Sequence, residues 1–446
     1  MHRRNTVLRG LKTGGKERMK SYQEMSREEL LQEKQSLEAQ YKAFCEKGLK
    51  LDMSRGKPSV EQLDLSMPMF DVLNSQTPLK SRMGTDLRNY GVLDGINEAK
   101  ELMASLMGVD WENVIIYGNA SLNIMYDFIC RSMLFGVLGS TPWIKLGRQV
   151  KFLCPVPGYD RHFAITESMG IRMINIPMDE NGPDMDLVEE LVSADPYIKG
   201  IWCVPKYSNP SGCTYSDEVV RRMARLKPAA EDFRIYWDNA YCVHHLYPGK
   251  EDQLLEILSE CEKAGNPDMV YEFASTSKIT LSGSGISAVA SSIRNLDAIR
   301  QKLTIQTIGF DKINQLRHCK FLKDKAGVEA HMWKHAEIIR PKFDMLIEKF
   351  EGQLAGLGVG SWTKPNGGYF ITYYANKGCA KRIVQLAKEA GMVMTGAGAP
   401  YPYGQDPEDS VIRIAPTLPP LEEMKVAADL FLVCVKLASV EKLLQA

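Results

Sequence analysis

The sequence predicts an α/β fold, a doubly wound sheet layer accompanied by a smaller α+β unit, and three observations carry that expectation. Short apolar runs alternate with longer amphipathic stretches between residues 114 and 292, the pattern of strands separated by helices. Loop signals at Asn209-Pro-Ser-Gly212 and Gly265-Asn-Pro267 fall between these runs, where such a sheet delivers its functional ends. A chain of 446 residues also exceeds one core, since domains run to ~100–200 residues, so two packed parts are expected.

Taken in order, residues 1–18 carry Arg3, Arg4, Arg9, Lys12, Lys16 and Arg18 against one acid, Glu17. They lack the apolar run of a secretory signal and read as a basic tail, either a transit peptide or a stretch ahead of a start at Met19. Ser26-Arg-Glu-Glu29 forms a capping box. Leu30, Leu31, Leu37, Tyr41 and Phe44 follow at near-helical spacing, predicting an amphipathic helix over 26–47 that stops at Gly48. Strands are expected at 114–117, 152–154, 171–176, 200–204, 234–237, 269–273 and 287–292. A long helical region at 296–356 leads into the smaller unit. That unit has strands at 359–364, 368–374 and 411–414, a helix at 378–390 and a closing helix at 420–438. The resulting organisation is an arm (19–75) that joins a C-terminal unit (326–446), with a large domain (76–325) between them.

Composition narrows the partners. Hydrophobic residues make up 44% of the chain and charged residues 25%, as in a globular enzyme. The 55 basic and 55 acidic side chains cancel, so no net field recruits nucleic acid or a membrane surface. Ten cysteines without a C-x-x-C pair suggest free thiols in a reducing cytoplasm, with no zinc site or disulfide framework. No run approaches the ~18 apolar residues of a membrane span.

Chemistry concentrates at two strand ends. Phe273-Ala-Ser-Thr-Ser277-Lys278 is an apolar strand closing in small hydroxylated residues and a lysine. Lys278 at the sheet's rim, flanked by Ser275 and Ser277, is arranged to form a Schiff base with a phosphate-bearing aldehyde, although a lysine after serine is also an ordinary solvated one. Arg234-Ile-Tyr-Trp-Asp238-Asn-Ala-Tyr241 ends in an acid that can hold a pyridine nitrogen protonated, because opposite charge stabilises the charged form. Tyr241 and Asn209 can both reach that ring's phenolic oxygen. The competing reading makes Asp238 a helix N-cap beside a core tyrosine.

The ordered set Asn209-Pro-Ser-Gly212, Asp238-x-x-Tyr241, Ser275-x-Ser277-Lys278 and Arg413 resembles the class I aminotransferases of pyridoxal-phosphate fold type I, over residues 50–435. Asp52-Met-Ser-Arg-Gly56-Lys-Pro58, Gly118-Asn-Ala-Ser121 and Ser275-Thr-Ser-Lys-Ile-Thr280 are similar to a divergent bacterial branch of aspartate aminotransferases. The resemblance implies a mixed, mostly parallel sheet sandwiched by helices, with pyridoxal 5'-phosphate as cofactor and a Lys278 aldimine as the reactive form. It further implies that Lys278 shuttles the catalytic proton while Asp238 holds the ring nitrogen and Asn209 and Tyr241 the phenolic oxygen. Tyr159 would stack on the ring, and Asn119, Ala120 and Ser121 with Ser275 and Ser277 would receive the phosphate at a helix N-terminus. Arg413 would clamp the substrate α-carboxylate, with Asn209 and the Gly56 backbone beside it. Tyr90 would reach the phosphate of a second subunit, implying a homodimer. The implied reaction is transamination, with aspartate and 2-oxoglutarate the preferred pair. One departure stands out: the family's phosphate arginine, eight residues after the lysine, is Ile286 here, leaving Ser282 or Ser284 as replacement donors. For a distal carboxylate, Arg55 and Lys57 are candidates by position.

Other classes fit less well. Gly283-Ser-Gly285-Ile-Ser-Ala288 matches a dinucleotide fingerprint but lies late in the chain without the later acid. Ser275-x-x-Lys278, Tyr207-Ser-Asn209 and Lys12-Thr-Gly14 run in reverse order for a serine acyl-transferase. His244-His245, as neighbours on a strand, would point to opposite faces and read as wall and surface, not a metal site. A non-catalytic regulator would carry a DNA-binding head, and the region before residue 50 offers one helix only. A C–S lyase or decarboxylase on the same fold stays open, because fold does not decide which bond breaks.

Overall fold

A computed structural model describes residues 20–445; the basic tail, residues 1–18, lies outside them. Ser26 caps α1 (Arg27–Cys45) with both halves of the box: its side chain accepts from the Glu29 N–H, and Glu29 reaches back to the Ser26 N–H. β1 (Leu51–Met53) and α2 (Val60–Asp64) follow, then α3 (Asn97–Met107), which Gly108 ends in the left-handed conformation at φ 81°.

The seven anticipated strands then appear in order, as β2 (Val114–Tyr117), β3 (Lys151–Val156), β4 (Arg172–Asp179), β6 (Ile198–Cys203), β7 (Arg234–Asp238), β8 (Val270–Ser275) and β9 (Ser287–Ala290), and a short β5 (Gly182–Pro183), which the sequence did not signal, follows β4. The helices between them are α4 (Ser121–Phe135), α5 (Asp160–Ser168), α6 (Met185–Ala194), α7 (Asp217–Ala224) and α8 (Ile257–Lys263). Together the strands form one eight-stranded sheet in the order β2-β9-β8-β7-β6-β3-β4-β5. Pairs β4/β3, β3/β6, β6/β7 and β7/β8 are parallel, whereas β9 runs antiparallel to both β8 and β2. The sheet is therefore mixed and mostly parallel, with helices on both faces. Strands β2, β6, β7 and β9 are buried on both faces, which is why they read as apolar runs and not as alternating ones, whereas β4, toward the sheet's edge, exposes Arg172, Asn175, Pro177 and Asp179. Along β7, Tyr236 joins Phe152, Phe128 and Phe273 on one face, while Ile235 and Trp237 join Val220 and Met223 on the other.

The expected long helical region at 296–356 resolves into three helices, α9 (Ile293–Gln306), α10 (Lys312–Leu322) and α11 (Lys325–Gln353). Asp311 and Asp324 break it, each leaving the helical path to accept from a backbone N–H three residues on, at Asn314 and Gly327. The smaller unit then builds β10 (Gly360–Trp362), β11 (Ile371–Ala375), α12 (Ala380–Glu389), β12 (Met392–Met394), β13 (Val411–Ile414) and α13 (Leu421–Gln445). β10, β11 and β13 form an antiparallel sheet.

Two short elements that the sequence did not signal join the arm to this unit: β1 pairs in parallel with β12, Asp52 opposite Val393. Leu30 and Leu37 of α1 enter the same core as Phe431, Val435 and Ala438 of α13. Burying one such leucine contributes ~1.5–3 kcal/mol. That core also includes Tyr207 and Tyr241, so the smaller unit and the sheet's carboxyl ends meet on one apolar contact.

Candidate active site

In an open α/β sheet, ligands bind outside the carboxyl ends of the strands. Here β2, β6, β7 and β8 deliver Asn119, Asn209, Asp238 and Lys278 to that edge. Asp238 is the last residue of β7 and is 3% exposed. A turn follows it and no helix, so the N-cap reading is set aside. His162 Nε2 lies 3.1 Å from Asp238 Oδ2, and the imidazole stacks on Trp202 with centroids 4.4 Å apart. Oδ1 of Asp238 is buried and has no hydrogen-bond partner among the described residues. An orphaned buried carboxylate oxygen costs on the order of 1–3 kcal/mol, so it calls for a donor from outside the chain.

Lys278 sits in the turn after β8, with Nζ 4.7 Å from the centroid of the Tyr241 ring. Tyr241 is buried, and burial pushes its hydroxyl above the ordinary tyrosine range, assisted by the nearby Asp238 carboxylate. Tyr159 stands edge-on to His162, centroids 4.9 Å apart, and burial raises its hydroxyl to about 12. His244 is a buried wall beside the Lys278 backbone, held well below the ordinary imidazole range by burial and then by the lysine's charge. It lies in a loop and not a strand, and its neighbour His245 is half-buried and bonded to the Tyr207 hydroxyl at 2.7 Å, which corrects the wall-and-surface expectation. No group of three or more histidine, cysteine or acidic side chains among the described residues is arranged for a metal.

Beside Lys278 the chain presents the uncapped N-terminus of α4. Ala120 precedes α4 in an extended conformation without a side-chain cap, and Ser121 opens the helix, so its first N–H groups point outward. Ser275 Oγ donates to Ser277 Oγ at 3.1 Å, and Ser287 Oγ donates to the Gly118 carbonyl at 2.8 Å, tying β9 to the same turn. Asn119 Oδ1 accepts from the Gly285 N–H at 2.6 Å. The Gly283–Gly285 turn thus buttresses this end and leads into a strand, not into the helix of a dinucleotide site.

Ile286 is buried, its carbonyl accepting from the Thr276 N–H at 2.9 Å and its own N–H donating to Thr276 Oγ1 at 3.0 Å, and it offers this end nothing. Ser282 donates to the Ser277 carbonyl at 2.7 Å, and Ser284 accepts from Arg317. Arg317 was not anticipated from the sequence.

Arg413 of β13 is 6% exposed. Its Nη1 donates to Asp160 Oδ1 at 2.9 Å and to Asn209 Oδ1 at 3.3 Å, and Nη2 donates to Thr395 Oγ1 at 3.2 Å. The guanidinium lies 5.2 Å from the Phe370 ring centroid, which removes the exposed-strand reading. Gly56 covers the same ring so closely that a Cβ there would sit 2.5 Å from Phe370 Cζ, so only glycine fits without a shift. Arg55 and Lys57 flank it on the exposed loop.

Of the residues singled out in sequence, Gly56, Asn119, Ala120, Ser121, Tyr159, Asn209, Asp238, Tyr241, Ser275, Ser277, Lys278 and Arg413 line this edge of the sheet. Tyr90 does not join them: it is 81% exposed on its own chain. Sequence reading missed Asp160, His162, Thr395 and Phe370. The first two lie in Pro157-Gly-Tyr-Asp160-Arg-His162, where a polar pair opening a helix beside a stacking tyrosine is the available signal.

Residues 25–446 match the family described as aspartate amino-transferase. A Corynebacterium glutamicum protein named aspartate aminotransferase is 48% identical over 396 residues, covering 89% of this chain and 91% of that protein. The crystal structure of an aspartate transaminase from the same organism superposes with a TM-score of 0.92 at 46% identity, covering 95% of this chain and 99% of that one. An α-aminoadipate aminotransferase of Thermus thermophilus, solved with N-(5'-phosphopyridoxyl)-L-leucine, shares the fold at TM-score 0.71 and 18% identity over 88% of this chain and 93% of its own.

Proposed function

Because the chain belongs to the aspartate aminotransferase family, pyridoxal-phosphate enzymes of fold type I, we propose that it moves the amino group of aspartate to 2-oxoglutarate. The observation that carries this reading is the convergence of Lys278, the orphaned Oδ1 of Asp238 and the buried guanidinium of Arg413 on one edge of the sheet. When bound, the cofactor supplies an aldehyde that takes up the amino group and a ring that draws electrons from the α-carbon.

These residues fit that group. Lys278 would hold it covalently and then carry the proton at Nζ to and from the substrate α-carbon. Asp238, aligned by His162, has an acceptor ready for the protonated ring nitrogen, and a charge-assisted hydrogen bond there replaces the missing partner of Oδ1. Asn209 and Tyr241 would meet the phenolic oxygen, and Tyr159 would stack on the ring. The N-terminus of α4 at Asn119, Ala120 and Ser121, together with Ser275 and Ser277, would receive the phosphate. Arg413 would bind the α-carboxylate, with Asn209 and the Gly56 backbone beside it.

We read the active form as a cytoplasmic homodimer in which exposed Tyr90 completes the partner's phosphate site, with the arm 19–75 and unit 326–446 flanking the domain 76–325. The test is a product analysis: cofactor-loaded enzyme with aspartate and 2-oxoglutarate should yield oxaloacetate and glutamate in equal amounts. Ammonia with a cleaved side chain, or carbon dioxide, would replace this reading with a lyase or a decarboxylase.

A further inference from the structure

The carboxylate-binding arginine already holds a carboxylate. Arg413 is buried on β13, and Asp160 at the first position of α5 is bonded to its Nη1 at 2.9 Å. The pair joins two bodies of the fold, since α5 follows a strand of the large sheet and β13 belongs to the three-stranded one. Asp160 keeps 32% of its side chain exposed, so its own desolvation cost is small and it can turn to water. Arg413 cannot: among the described residues its buried Nε has no partner and its Nη2 reaches only Thr395. An unpaired guanidinium in that setting is costly, and Asp160 removes the cost when no substrate is bound.

Resting on the reading of Arg413 as the α-carboxylate clamp, we propose that Asp160 is an exchangeable internal carboxylate that holds Arg413 in place and gives up Nη1 when the substrate's carboxylate arrives. It is a positioning residue, and it also competes with the ligand. An incoming anion must either displace Asp160 or share one guanidinium with a second negative charge, and both weaken binding. Asn209 Oδ1 and Thr395 Oγ1 stay on the guanidinium during the exchange and keep its plane fixed. Carboxylate binding is thereby linked to the contact between the two bodies, because the ligand replaces a cross-domain pair.

Substituting Asp160→Asn separates the two roles. The side-chain oxygen that accepts from Nη1 remains, while the charge is lost. Acetate, the minimal carboxylate, and maleate, a dicarboxylate with no amino group to transfer, are titrated into cofactor-loaded enzyme at fixed ionic strength and followed by visible absorbance. Both dissociation constants should fall roughly tenfold in Asp160→Asn, the scale of removing one partly exposed charge a few ångströms away. Asp160→Glu should restore the wild-type constants. An acetate constant that stays unchanged or rises in Asp160→Asn overturns the proposal, and Asp160→Glu controls for a variant that fails to fold. The aspartate reading fails separately: it would be contradicted if wild-type enzyme bound acetate as well as maleate.

Discussion

His162 Nε2 lies 3.1 Å from Asp238 Oδ2, so the histidine fixes one oxygen of the carboxylate and leaves the other, Oδ1, buried and unpartnered. The imidazole is itself held flat against Trp202 at 4.4 Å. This arrangement aims a buried acceptor at the edge where Lys278 stands. Replacing His162 with Phe keeps the stack and removes the bond. Cofactor affinity, read by fluorescence titration of apoenzyme, should fall ~5–150-fold, the range of 1–3 kcal/mol for an unsatisfied buried partner. Unchanged affinity would separate His162 from the role of Asp238.

Lys278→Ala should keep the fold, since the side chain stands at the rim of the sheet, with Nζ over the Tyr241 ring. Its circular dichroism should match the wild type while turnover of aspartate disappears. Transamination at the wild-type rate would remove Lys278 from the reaction.

Arg413→Lys retains the charge but loses the planar fork that serves Asp160, Asn209 and Thr395 at once. A bidentate, charge-assisted pair contributes about 1.5–3 kcal/mol, so kcat/KM for aspartate should drop ~10–150-fold. A rise in KM with kcat preserved would mark a group that binds the carboxylate equally in the ground and transition states.

Acid should destabilise the fold before ordinary carboxylates titrate. Burial lowers His244, His245, His318, His331 and His335 below the usual 6.5, His318 to about 4 and His335 to about 3. Between those values and 6.5 the unfolded chain binds more protons than the folded one, so stability rises with pH and is lost as pH falls through that window. Each fully buried ring contributes about 1.4 kcal/mol per pH unit there. Glu272 and Asp127, raised by burial, act in the opposite sense, but two carboxyls stand against five imidazoles. Melting temperature should therefore fall from pH 6.5 to 5, and His335→Gln should flatten the slope. A flat wild-type profile would contradict this.

The sheet and the two strand-end groups were legible because both signals are local. Asp238 and Lys278 each close an apolar run, and a run buried on both faces is visible as composition alone. Asp160, Thr395 and Phe370 were not legible, because what brings them to the site is a contact with Arg413 across up to 253 positions of chain. The β1–β12 pair escaped for a related reason: three-residue strands lack periodicity, and their partners lie far apart in sequence. In the 296–356 region, apolar spacing continued across Asp311 and Asp324, and only capping geometry shows that these acids begin new helices. Ile286 brings no charge to the α4 end, and the two serines expected in its place are engaged elsewhere, one with the Ser277 carbonyl and one with Arg317.

The most direct test of the central claim is a visible absorbance spectrum of the purified protein with pyridoxal 5'-phosphate, recorded before and after one equivalent of aspartate. A band from cofactor bound at Lys278 should convert to the amine form as one equivalent of oxaloacetate appears, with no 2-oxo acid acceptor added. A protein that acquires no band, or one whose band ignores aspartate while other amino acids discharge it, would contradict the proposed reaction.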